Sequence, residues 1–123
     1  MEERDLEWVG RSLDDLKALP PEVQQSAGFA LYQVQLGGMP QGAKSLKGVV
    51  GVMELRINHD TNTYRVVYVV NLGSVVYVLH SFQKKSTSGI ATPKKELDMI
   101  MRRLKQARLL AEERATEHEP QNR

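Results

Sequence analysis

The chain has 123 residues, 41% of them hydrophobic, with a formal net charge of +2; that balance suits one globular domain and excludes a disordered or low-complexity chain. It holds no cysteine, which excludes disulfide staples, thiolate-bound zinc, iron–sulfur clusters and a cysteine nucleophile. Charge is uneven: residues 1–40 carry three bases against seven acids, whereas residues 41–105 carry eleven against four, a net of +7, and so basic a segment suits a polyanionic partner such as nucleic acid.

Residues 1–7 are acidic and lack an apolar core, so no secretory signal is expected. No stretch reads as long and apolar enough to cross a bilayer, and a cytoplasmic protein without membrane contact is the plain expectation. Asp5–Val9 reads as a short opening strand. Ser12 stands where an N-cap belongs, with Asp14 and Asp15 in the first helical turn. That helix, carrying Leu13, Leu16 and Leu19, should stop at Pro20. Pro21 and Glu22 open a second helix, whose apolar positions Val23, Ala27, Ala30, Leu31 and Val34 recur at helical spacing. Gly37, Gly38 and Pro40 end it.

Residues 39–51 read as a loop. The period then becomes two: Met53, Leu55 and Ile57 point one way, Glu54 and Arg56 the other. Asn58–Asn62 reads as a hairpin turn, Tyr64–Val70 as a strand, Asn71–Gly73 as a turn and Ser74–Phe82 as a strand. Lys84–Ala91 reads as a polar loop. Thr92 and Pro93 start a last helix running to about His118, with Glu96 completing a capping box. Its inward stripe is expected to be Leu97, Ile100, Met101, Leu104 and Ala107, with Lys95, Arg102 and Arg103 off it.

The order is therefore β-α-α-β-β-β-α, an α+β fold with an antiparallel sheet and helices packed on one face. The whole chain, 1–123, is expected as one domain, with a core over about 6–107 and a helical extension and tail over 108–123.

Five short runs carry a resemblance. Leu46-Lys47-Gly48, Glu54-Leu55-Arg56, Tyr64-Arg65-Val66-Val67-Tyr68, Phe82-Gln83-Lys84-Lys85-Ser86 and Thr92-Pro93, in that order, resemble the RelE/ParE toxin superfamily. The best match is its HigB-like, phage-associated subfamily, over about residues 6–107. The resemblance implies the toxin of a type II toxin–antitoxin pair. Such a toxin cleaves messenger RNA on the ribosome without a metal or other cofactor and inhibits translation. It also implies a cognate antitoxin, often a helix-turn-helix DNA-binding protein, and a toxin–antitoxin hetero-oligomer. The ParE branch shares the fold but poisons DNA gyrase. A third reading is a non-catalytic module that only binds its antitoxin.

Metal-free RNA cleavage proceeds by attack of a ribose 2′-hydroxyl on the adjacent phosphate, leaving a 2′,3′-cyclic phosphate and a 5′-hydroxyl. A base, an acid and cations over the phosphate oxygens assist it. Arg56 and Arg65 are the first candidates, because arginine stays charged and offers a planar fork of donors. A register pairing 56 with 65 would set two cations opposite each other, which repel unless an anion joins them. That anion is either a substrate phosphate or a carboxylate such as Glu54; the alternative for each arginine is an ordinary surface ion pair.

His80, which shares strand parity with Val76, Val78 and Phe82, is the histidine placed to move a proton. The plain alternative is a packed, hydrogen-bonded side chain. Lys84 completes the catalytic set, and Lys44, Lys47 and Lys85 are candidates for binding the RNA backbone. Tyr64 and Tyr68, on the parity opposite Arg65, are expected in the core. The three histidines are scattered, so no metal site is expected, and His59 and His118 look incidental. One departure from the family pattern stands out. RelE-type enzymes tend to carry a catalytic tyrosine or histidine near the C-terminus, and after Ser86 this chain has no tyrosine and only His118.

Overall fold

A computed structural model of the chain describes residues 3–85 and 92–117. The polar loop expected after β5 (residues 86–91, Ser86 among them) and the tail from His118 lie outside those residues, as do Met1 and Glu2.

Strand β1 (Asp5–Trp8) leads through Gly10 into the short helix α1 (Ser12–Lys17). Ser12 does not cap that helix. Its hydroxyl is buried and donates to the Val78 carbonyl oxygen at 3.0 Å, while Arg11 takes the capping position. Pro21 begins α2 (Pro21–Gln35), where its fixed φ and missing N–H suit a first turn. The expected stripe Val23, Ala27, Ala30, Leu31, Val34 is the buried one.

The segment expected to be a plain loop contains a three-residue strand, β2 (Ala43–Ser45). Next come β3 (Met53–His59), β4 (Asn62–Val69), β5 (Val75–Lys84) and α3 (Lys94–Glu117). The β3–β4 connection is tighter than the five-residue turn read from sequence. Asp60 and Thr61, at φ 49° and 62°, make a two-residue turn in which both residues are left-handed, as the twist of a hairpin favours.

The sheet runs β1-β5-β4-β3-β2, antiparallel throughout except for β1 against β5. Alternate strand residues face opposite sides. Leu55, Ile57, Tyr64, Val66, Tyr68, Val76 and Val78 meet Leu16, Val23, Ala27, Leu31 and Val34, so the α1–α2 pair packs on one face with both tyrosines in its core. Val67, Val69, Val75, Tyr77 and Leu79 lie beneath Ile100, Leu104 and Ala107 of α3. The third helix thus crosses the other face, and it does so over β5, which leaves the β3 side of that face to its own polar residues.

Two side chains of α3 differ from the sequence reading. Met101 is 51% exposed, whereas Arg103 is buried in the stripe beside Ile100, Leu104 and Ala107. Glu96 does not serve a capping box: its carboxylate Oε1 lies 2.6 Å from Nε2 of His80.

Candidate nucleic-acid interface

Register orders the polar residues on the face of the sheet that carries α3. In one row Lys44 opposes Glu54, Glu54 opposes Val67, and Val67 opposes His80; in the next, Arg56 opposes Arg65 and Arg65 opposes Phe82. In a third row Asn58 opposes Thr63, and Thr63 opposes Lys84. The 56–65 pairing weighed from sequence is the one present. It is also the close kind of pair. The Arg56 N–H donates to the Gly42 carbonyl oxygen at 3.1 Å and so points away from β4. In such a non-hydrogen-bonded antiparallel pair the Cα atoms stand only ~4.5 Å apart. Gly42 permits the approach: its φ is +93°, and a Cβ there would sit 2.8 Å from the Arg56 carbonyl oxygen.

The two arginines are not equivalent. Arg56 is exposed, whereas Arg65 is 7% exposed and its Nη1 donates to Oε1 of Glu54, itself 4% exposed, at 3.0 Å. Lys44 reaches the same carboxylate oxygen at 3.9 Å. Nε of Arg65 is buried and makes no hydrogen bond. Lys84 is the terminal residue of β5 rather than part of a loop, and it is buried. Burial pushes its pKa down, and the positive charges of Arg65, Lys44 and Arg56 push the same way against the pull of Glu54. Four cations therefore share a patch in which Glu54 is the single carboxylate among the described residues. Like charges packed this closely repel, and an anion laid across them would relieve the repulsion.

Beside the patch lies a groove of about 320 Å³ between β2 and the start of α3, lined by Lys44, Leu46, Lys47, Glu54, Thr92 and Leu97 among others. Lys47 is thus at the rim of the groove, and Lys85 lies exposed just past the end of β5.

His80 stands apart from the cations. A bulge at Leu79 shifts the pairing between Val67 and Tyr68, so His80 does not share a face with Val76 and Val78 as regular alternation predicts. Its Nδ1 lies 3.2 Å from Oδ2 of Asp15, its Nε2 contacts Glu96, and its ring stacks on Phe82 at 5.1 Å. Arg103 completes the cluster, with Nη1 donating to Asp15 Oδ2 at 2.6 Å and to the Leu79 carbonyl oxygen at 2.9 Å. Asp15 and Arg103 were not read from sequence as a site. The available signal was spacing: 100, 103, 104 and 107 fall on one helical stripe, so an arginine at 103 faces inward and needs a buried acceptor.

Among the described residues no group of three or more His, Cys, Asp or Glu could hold a metal ion, and no helix is long and apolar enough to cross a membrane.

Residues 14–105 match the model of the family described as phage derived protein Gp49-like (DUF891). Among solved structures, the fold is similar to a free E. coli toxin RelE carrying two arginine-to-alanine changes. That likeness has 17% identity and a TM-score of 0.59, over 85% of this chain and 98% of that one. It is also similar to the toxin–antitoxin complex RelBE2 from Mycobacterium tuberculosis, at 19% identity and a TM-score of 0.52, over 68% of this chain and all of that one. No match was found among curated proteins. The RelE-type fold is therefore present, in agreement with the resemblance read from five short runs.

Proposed function

The chain belongs to the phage derived Gp49-like family, and from that premise we propose that it is the toxin of a type II toxin–antitoxin pair, a metal-independent endoribonuclease acting on messenger RNA at the ribosome. The observation that carries the reading is the Arg56–Arg65 pair, an exposed arginine opposed to a buried one on the sheet face that carries α3, beside Lys84 and Lys44. Arg56 and Arg65 hold the non-bridging oxygens of the scissile phosphate, which gain charge as the 2′-oxygen attacks phosphorus. The bond from phosphorus to the 5′-oxygen breaks, leaving a 2′,3′-cyclic phosphate. The 2′-hydroxyl proton passes to water.

Lys84 supplies the proton to the departing 5′-oxygen. Its lowered pKa makes the ammonium a stronger acid than an ordinary lysine, which suits that task nearer neutral pH. Lys44, Lys47 and Lys85 bind the RNA backbone. His80 has both ring nitrogens against carboxylates, and its role is to hold Phe82 and the end of β5 in place.

The partner in this reading is a cognate antitoxin, of helix-turn-helix type, which neutralises the toxin in a hetero-oligomer in the cytoplasm. The likeness to one half of a toxin–antitoxin complex supports an antitoxin partner.

The test is induced expression with mapping of RNA 5′-ends. Cuts within translated codons, absent with Arg56→Ala and with Arg65→Ala, are the expected result. Arg56 is exposed, so its loss separates activity from folding. Intact messages with blocked DNA replication would replace this reading with gyrase poisoning, and no growth effect would leave a module that only binds its antitoxin.

A further inference from the structure

Helix α2 buries one apolar stripe against the sheet and carries a second on its outer side. There Phe29 is 70% exposed, Tyr32 48% and Leu36 39%, so three large side chains forgo the gain of burial. With Gln25 they follow one another at intervals of four, three and four residues, the spacing of a coiled-coil seam. The seam runs from the second turn of α2 to its C-cap residue, Leu36. Gly28 lies on the same stripe, and Gln25, Gly28, Phe29 and Tyr32 border an open hollow of about 400 Å³.

Two observations say what covers this stripe. A glycine inside a helix lowers stability relative to alanine, and a Cβ at position 28 would meet no atom within 4 Å. The missing side chain therefore serves no contact around it; it leaves room for a second helix to come close. Charge is the other observation. Residues 23–43 contain no charged side chain, while Lys44, Arg56, Arg65 and Lys84 belong to the opposite face of the sheet. An acidic partner is drawn to those cations, and the α2 stripe has no charge with which to steer it. A neutral stripe suits its own copy, because identical charged faces brought together repel.

We propose that the outer stripe of α2 is a self-association surface, on which a second copy of this chain packs its own α2 about a two-fold axis. Such an axis reverses the helix direction, so the two helices run antiparallel. An axis midway along the seam sets Phe29 of one copy beside Tyr32 of the other, and Gln25 beside Leu36. Each of these contacts occurs twice, so one stripe supplies both sides of the interface. It has five residues a side, against the roughly 20–30 of a standard interface, and the dimer therefore dissociates on dilution. Both cationic faces point away from the contact, so the pairing holds whether or not the chain cuts RNA.

The experiment is sedimentation equilibrium of the full chain over a concentration series, where the expected mass rises from that of one chain to that of two. Phe29→Lys and Tyr32→Glu, both at exposed positions, should each weaken the dimer at least about tenfold. An equimolar mixture of those two variants should pair again. One of its two Phe29–Tyr32 contacts becomes an opposite-charge pair, and the other stays as in the wild type. Gly28→Leu should also weaken the dimer while the helix melts no lower, since leucine is the better helix former. A chain that stays monomeric throughout, variants that associate as the wild type does, or a mixture no better paired than its parts would each overturn the proposal. A monomer whose Phe29→Lys form no longer co-purifies with the co-expressed protein of the adjoining reading frame would give the stripe to that partner instead.

Discussion

Arg65 reaches Glu54 diagonally across β3 and β4, Nη1 to Oε1 at 3.0 Å, with both side chains more than nine-tenths buried. Removing one member of such a pair leaves the other charge without compensation, a loss of about 3–5 kcal/mol, whereas removing both can be nearly neutral. Arg65→Met should therefore unfold at lower urea than the double change Arg65→Met with Glu54→Gln. A single variant as stable as the wild type would mean that the pair is solvated. The same cost is why loss of toxicity in an Arg65 variant is read beside Arg56→Ala.

Much of this geometry could be read before any coordinates. Strict alternation over residues 53–57 and 64–70 set Arg56 and Arg65 on the face opposite Tyr64 and Tyr68, because a period of two leaves no other choice. The depth of Arg65 was not legible. Nor was β2, a three-residue strand whose sequence, Ala43-Lys44-Ser45, has no β-forming pattern and which exists through its pairing with β3. His80 was misplaced because a bulge inserts one residue without any glycine or proline to mark it.

Arg103 shows the same limit on α3, where a charged side chain reads as solvent-facing until its spacing is weighed. Because it donates to Asp15 of α1 and to the Leu79 carbonyl oxygen of β5, it ties three elements together. Arg103→Met should cost about 3 kcal/mol in denaturant unfolding by stranding Asp15 and His80. Arg102→Ala, one residue away and exposed, should stay within about 0.5 kcal/mol of the wild type. Equal effects would return Arg103 to the surface.

The β3–β4 turn sets the register on which the arginine pair depends. Thr61 is β-branched at φ 62°, a conformation that disfavours L residues by about 1–2 kcal/mol. Thr61→Gly should raise the stability of the chain by about 1 kcal/mol, read as a higher denaturation midpoint with an unchanged slope. A loss of stability would mean that the Thr61 side chain contributes more than its backbone strain removes.

Burial and the neighbouring cations hold the pKa of Lys84 below the ordinary lysine value of 10.5. Below the folded-state value both states keep the proton, and the full destabilisation of a buried ammonium is present. Between that value and 10.5 the unfolded chain binds a proton that the folded chain has released, so stability rises with pH across the window. Compared with Lys84→Met, the wild type should gain stability as pH climbs toward 10.5. Parallel curves for the two proteins in urea melts from neutral pH upward would show that Lys84 titrates alike folded and unfolded.

If the patch holds phosphates, its affinity for RNA must be salt-dependent in a countable way. Each phosphate neutralised on a single strand contributes about 0.7 to the slope of log affinity against log salt, through release of condensed counterions. Arg56 is exposed and faces Arg65, so its replacement removes one phosphate contact without disturbing the core. Arg56→Ala should therefore flatten the slope by about 0.7 and weaken RNAs of different sequence alike. Lys17→Ala, exposed on the helix pair across the sheet, carries the same loss of charge and should leave the slope as it is. Equal flattening by the two variants would mean that RNA responds to net charge alone, and the arginine pair would lose its claim to be the docking site.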